Sequence, residues 1–124
     1  MGHYFLESSA LVKRYKQETG TAFIDRLFAE ETHELFYLNL AVIEIRKVFY
    51  RLWKYPQGGE KEVQITDEAF MALEKAFAND LRRMRRIAFT EDMIDQSIKI
   101  LEQVWVRSVF DLAHLSAYLV AQEA

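Results

Sequence analysis

Three carboxylates stand where the chain passes from an apolar run into a helical pattern: Glu7, Glu44 and Asp111. Carboxylate oxygens are the preferred ligands of hard divalent cations such as Mg²⁺ and Mn²⁺. Grouped carboxylates awaiting a cation would also fit the formal net charge of -3 and the sequence pI of about 5.6. Taken singly, each acid has an ordinary explanation. Glu7 can be favoured by the dipole of the helix that follows it. Glu44 can pair with Lys47 across one turn, a contact of about a few tenths of a kcal/mol. Ser108-Val109-Phe110-Asp111 has the spacing of a capping box, although Glu or Gln is usual at the third helical position. Yet Val109, Phe110, Leu112, Ala113 and Leu115 surround Asp111 in sequence, and an acid in apolar surroundings needs a partner or a cation. His114 follows Asp111 by one turn and faces the same way, either to orient a carboxylate or as a core histidine. There is no cysteine, which excludes thiolate metal sites and disulfides and fits a reducing cytoplasm.

The elements that must position these acids are legible in outline. The 124 residues are enough for one domain, and 51% hydrophobic content argues for a packed core rather than disorder. Three short apolar runs read as buried strands: Tyr4 to Leu6, Leu35 to Leu38 and Ile87 to Phe89. Each is followed by a residue that can cap a helix: Ser8 or Ser9, Asn39, and Thr90. The helical patterns then run over Ala10–Tyr15, Leu40–Lys54 and Glu91–Glu102. In the second, Ile45, Val48, Phe49, Leu52 and Trp53 form one stripe at helical spacing. Thr66 opens a further helix with Phe70, Leu73, Phe77, Leu81 and Met84 on one face. It ends in Arg82-Arg83-Met84-Arg85-Arg86. Val109 to Gln122 forms the last helix, apolar nearly all round and expected to be buried on most sides. Tyr55 to Glu60 holds the only proline and reads as a loop between helices. Strands alternating with helices predict a parallel sheet with helices on both faces, and a site beyond the carboxyl ends of the strands. Glu7 and Glu44 fall there. No run is long and apolar enough to span a bilayer, and the first residues lack the pattern of a signal peptide, so a soluble cytoplasmic protein without membrane contact is expected.

Phe5-Leu6-Glu7-Ser8-Ser9-Ala10-Leu11-Val12-Lys13-Arg14-Tyr15 resembles the opening of PIN domains, especially the VapC-type toxins of toxin–antitoxin pairs. In that pattern a hydrophobic strand ends in Asp, then Ser or Thr, then Ser-Ala-Leu-Val-Lys and an aromatic. This sequence has Glu7 in place of the Asp. Leu38-Asn39-Leu40-Ala41-Val42-Ile43-Glu44-Ile45 resembles the family's second block. Asp111-Leu112-Ala113-His114-Leu115-Ser116-Ala117 resembles its third. The resemblance covers essentially the whole of residues 1–124. The family pattern continues with another strand ending in a fourth acid and then a final strand, whereas this sequence reaches Ala124 within the last helix.

The resemblance implies an α/β, PIN-like three-layer fold without its final strand or strands, built as one domain. It also implies metal-dependent cleavage of single-stranded RNA, with Glu7, Glu44 and Asp111 as catalytic metal ligands, directly or through water, and Mg²⁺ or Mn²⁺ as the cofactor. The partner it implies is a small antitoxin protein. The alternative is a catalytically impaired PIN-like module that binds RNA or a protein, having Glu for Asp at position 7 and no fourth acid. An acidic protein cannot hold RNA by bulk charge, so contact must be local. The Arg82–Arg86 cluster can touch phosphates, or complement a helix C-terminus. Ser9 can hold a metal-bound water or cap a helix. If the family's strand order applies, Tyr4-Phe5-Leu6 is an open apolar edge that invites pairing with a second copy. The chain should therefore elute as a homodimer or larger species in gel filtration at micromolar concentration; a strictly monomeric peak would count against the open edge.

Overall fold

The computed structural model describes residues 1–57 and 63–123. The chain runs β1 (His3–Phe5), α1 (Ser8–Leu11), a 3₁₀ turn (Val12–Arg14), α2 (Thr21–Ala29), β2 (Glu34–Leu38), α3 (Ala41–Lys54), α4 (Asp67–Arg83), β3 (Arg85–Ile87), α5 (Glu91–Leu101) and α6 (Val109–Glu123). The sheet is parallel with order β1-β2-β3, so β2 is central. Tyr4 stands opposite Leu35, and Tyr37 opposite Arg86. Among the described residues β1 pairs with β2 alone and forms one edge of the sheet.

Alternate residues of β2 serve opposite faces, because successive strand side chains point to opposite sides. Leu35 and Tyr37 enter a core with Leu11, Ile24, Ile45, Phe49 and Phe77 from the first four helices. Leu38 enters a smaller core with Met93, Ala113 and Ala117 from α5 and α6. The result is the expected three-layer α/β arrangement. The predicted stripe of α3 faces the larger core, with Ile45 and Phe49 buried and Val48, Leu52 and Trp53 half-buried. Among the described residues no helix is long and apolar enough to cross a membrane.

Several boundaries differ from the sequence reading. β3 lies two residues earlier than predicted, at Arg85–Ile87, and α4 stops at Arg83. The arginine-rich segment therefore turns from helix to strand within itself, its charges masking the strand from a hydrophobicity criterion. β1 likewise begins at His3 and ends at Phe5. Helix α2 escaped the sequence reading. Its start is marked by Gly20 at φ 98°, a left-handed conformation that glycine adopts without steric cost. Its buried positions Ile24, Leu27 and Phe28 are too few to stand out in nine residues. Asn39 does not cap α3 with its side chain; that side chain accepts from the Phe89 N–H at 3.3 Å and ties the ends of β2 and β3. Helix α6 is not buried on most sides: Val109 is 78% exposed, and Leu115 and Tyr118 are also exposed. Of the predicted loop after α3, Gly58, Gly59 and Glu60 lie outside the described residues.

One polar cluster fastens the segment after α1 to α4. Arg14 donates to Asp80 from Nε at 2.8 Å and to Asp25 from Nη1 at 3.0 Å, with its guanidinium 4.1 Å from the Phe28 ring centre. The Tyr15 hydroxyl donates to Asp80 at 2.6 Å. The Tyr15 ring packs edge-on against Phe49 and Phe77, each at 5.5 Å. Burial, and then the bond to Asp80, push the Tyr15 phenol far above its ordinary range. Burial works against the Arg14 charge, but Asp80 and Asp25 outweigh it and raise its pKa.

These contacts predict unequal costs for two acids on the same helix. Asp80→Ala strands a buried hydroxyl and a half-buried guanidinium and should destabilise by about 2–3 kcal/mol. Glu74 pairs with Arg46, whose side chain is 49% exposed, so Glu74→Ala should cost under about 1 kcal/mol. Urea denaturation of the two variants checks the difference.

Candidate functional site

The carboxyl ends of the strands deliver the first acid directly. After β1, the Leu6 N–H still donates to the Phe36 carbonyl at 2.8 Å, so the chain stays in register with β2 up to the residue before Glu7. Glu7 then takes extended backbone angles as the N-cap of α1. The cap is Glu7 itself and not Ser8 or Ser9: its Oε1 accepts from the Ala10 N–H at 2.8 Å, and the Ser9 hydroxyl donates to the same oxygen. Ser9 thus supports the cap. Among the described residues, Oε2 of Glu7 has no hydrogen-bond partner.

Asp111 sits in the first turn of α6, where its N–H donates to the Ser108 hydroxyl at 3.3 Å. That is the backbone half of the predicted capping box. The Asp111 carboxylate is exposed, not enclosed by its apolar neighbours, and takes no hydrogen bond among the described residues. Glu7 and Asp111, remote in sequence, line one cavity of about 350 Å³ together with Phe5, His114, Leu115 and Tyr118.

Glu44 is placed differently from its sequence reading. It does not pair with Lys47. Its Oε2 accepts from the Ser8 hydroxyl at 2.7 Å, and its Oε1 meets His114 Nε2 at 2.6 Å. Both carboxylate oxygens are therefore engaged, by α1 on one side and α6 on the other. Ser8 and His114 are buried, His114 to 3% exposure. Sequence spacing suggested that His114 could orient Asp111; the carboxylate it meets is Glu44. Because an ionised carboxylate only accepts, Nε2 carries the proton in this bond. The other ring nitrogen, Nδ1, is buried without a partner among the described residues. Glu44 itself does not line the cavity; it is joined to it through His114.

The structure thus brings Glu7 and Asp111 to one cavity and sets Glu44 behind it. Among the described residues, no three His, Asp or Glu side chains converge closely enough to form a metal cage. The arrangement fits a smaller demand. Mg²⁺ keeps several waters and is commonly held by one or two carboxylates, and Glu7 and Asp111 each have oxygen to spare. The donor set is all hard oxygen, as such an ion prefers.

The basic residues lie elsewhere. Arg83 donates to the Glu30 and His33 carbonyls at 3.0 and 2.9 Å, and Arg82 to Asn79 at 3.3 Å. Arg85 pairs with Glu34 at 3.4 Å. These partners give most of the cluster a structural task. Arg86 instead lines a larger groove of about 880 Å³ on the sheet, with Phe36 and Ile87. That groove shares Phe5 and Tyr118 with the acid-lined cavity, but among the described residues the acid lining it is Asp92 alone.

No protein-family model and no curated protein matches the chain. Solved structures do. VapC20 of Mycobacterium tuberculosis, described as a sarcin–ricin-loop-cleaving toxin, superposes with a TM-score of 0.66 at 14% identity, covering 96% of this chain and 83% of its own. VapBC2 of Rickettsia felis, solved with a DNA fragment from its promoter, gives 0.61 at 11% identity, covering 98% and 83%. Identities this low speak to architecture and not to chemistry. On that architecture, and on the parallel sheet and helices described above, the chain has the PIN-like fold of VapC toxins.

Proposed function

We propose that the chain is a PIN-type endoribonuclease that cleaves single-stranded RNA with the help of Mg²⁺ or Mn²⁺, and that it acts as a toxin held in check by a small antitoxin protein. The observation that carries this reading is the shared cavity of Glu7 and Asp111 at the carboxyl end of the sheet, with Glu44 held behind it. Glu7 and Asp111 would hold the metal, with Glu44 behind them and joined to the cavity through His114. A bound divalent cation supplies an activated water and neutralises charge on the phosphate. The protein's own contribution is placement. The cap bonds fix Glu7 Oε1 and leave Oε2 for the cavity. The first turn of α6 presents Asp111, and exposed Tyr118 and Leu115 form an apolar wall beside it. RNA reaches this site by local contact, since the chain is acidic overall. A homodimer and a cytoplasmic location accompany the proposal.

A second reading has its own support. Both oxygens of Glu44 are occupied, and position 7 carries Glu where the family pattern has Asp. Glu is one methylene longer and shifts any ion it binds. These features favour a PIN-like module that binds RNA or a protein partner without cutting.

One assay separates the two. Unstructured and structured RNA are incubated with the protein in Mg²⁺, Mn²⁺ or EDTA, alongside Glu7→Gln and Asp111→Asn. The nuclease reading expects metal-dependent cutting of the unstructured RNA, with each variant slower by at least about 100-fold, the upper end for loss of a metal ligand's own supporting partner. RNA binding without cutting supports the module, and the absence of both binding and cutting refutes the nuclease and leaves a module that binds a protein. Stability provides the control. Glu7→Ala removes the cap and should cost about 1 kcal/mol, whereas Glu7→Gln keeps an acceptor oxygen and should unfold close to the parent temperature. A Gln variant that melts as early as the Ala variant would mean its lost activity reports folding.

A further inference from the structure

Glu44 is the most constrained of the three acids, and its constraints come from the elements that carry the other two. Ser8 directly follows Glu7, and His114 lies one helical turn beyond Asp111. A glutamate on a helix normally samples several rotamers, and ordering it has an entropic cost. Here bonds of 2.7 and 2.6 Å on the two oxygens select one arrangement. We propose that Ser8 and His114 are positioning residues that set the Glu44 carboxylate behind the acid-lined cavity, an inference that rests on the metal-dependent reading of that cavity.

Three observations carry it. The bond joins residues 70 apart, so it is not a by-product of one helix. His114 lines the cavity while holding Glu44, so it is the link between that carboxylate and the space that Glu7 and Asp111 also line. And the histidine is kept although its Nδ1 is buried without a partner among the described residues, which an apolar residue of similar size would avoid. A histidine serving only to fill the core gains nothing from that arrangement. A histidine serving to hold Glu44 needs the Nε2 donor at that depth. Ser8 supplies a second donor to the other carboxylate oxygen, and the edge-on contact of Phe5 with the His114 ring, at 6.1 Å, limits ring rotation.

The alternative is a staple that merely joins α1, α3 and α6. The two roles differ in what they move. The full chain and its His114→Leu, His114→Gln and Ser8→Ala variants are compared by thermal unfolding, by Mn²⁺ affinity from the electron paramagnetic resonance of free Mn²⁺, and by cutting of unstructured RNA. Positioning predicts that His114→Leu weakens Mn²⁺ binding by about 10-fold, the lower end for loss of a supporting group outside the metal's own ligands. His114→Gln restores an N–H donor and should recover most of that affinity, and Ser8→Ala should show a smaller loss of the same sign. If His114→Leu fails to fold, the Gln and Ser8→Ala variants decide. Variants that unfold earlier yet bind Mn²⁺ as tightly as the parent overturn the proposal and leave the staple. A parent chain that binds no Mn²⁺ overturns the metal reading, and this inference with it.

Discussion

Strand β2 is paired on both sides and buried on both faces. That double burial is the constraint on which the rest depends. With a side-chain period of two, a slip of one residue would exchange Leu35 and Tyr37 for Phe36 and Leu38, and would mismatch both cores at once. The register is therefore fixed from above and below. Once it is fixed, β3 ends level with β2, Ile87 opposite Leu38, and β1 ends two residues short of it, Phe5 opposite Phe36, so the three connections that leave the sheet at that end begin at defined places. Glu7 lies on one of these connections and Glu44 on another. The third leads through α5 to α6, which brings Asp111 back to the same end.

The acids then perform two kinds of task. Glu7 satisfies free N–H groups at a helix start with one oxygen and leaves the other unbonded. A single carboxylate can thus be a structural cap and a candidate ligand, so the ordinary and the chemical explanations do not compete. Glu44 is the contrasting case. Its charge sits between a buried hydroxyl and a buried imidazole, and desolvation makes such bonds strong only when both are made. The geometry gives the site a soft front, where oxygen is available, and a rigid back, where it is not.

The ties that hold the first helical segment in place lie away from this site. Arg14 and Tyr15 converge on Asp80, and Tyr15 shares an edge-to-face aromatic triad with Phe49 and Phe77. Helix α1 has only four residues and cannot be stable alone. The Arg14–Asp80–Tyr15 cluster anchors it to α4, and through it fixes the direction in which Glu7 and Ser8 project. The site's precision is borrowed from a core on the other side of the chain.

By itself the sequence determined the class of fold and the buried faces of α3 and α4, and it singled out Glu7 and Asp111, which the structure sets on one cavity. Those are carried by local patterns: the stripe of Ile45, Phe49 and Trp53, the short apolar runs, and the motif around Glu7. It set β3 two residues late, because Arg85 and Arg86 are polar residues made into a strand by pairing with β2, and it missed α2, whose few buried positions gain meaning only against Leu35 and Phe49. It did not expose the bare flank of α6, since which side of an apolar helix is covered depends on what packs there. Above all it did not reveal the partner of Glu44. Lys47 was the neighbour in sequence, but Ser8 and His114 were the neighbours in space. Hydrogen bonds between residues 36 and 70 positions apart leave no trace in local periodicity, and only the closing of the sheet and the return of α6 create them.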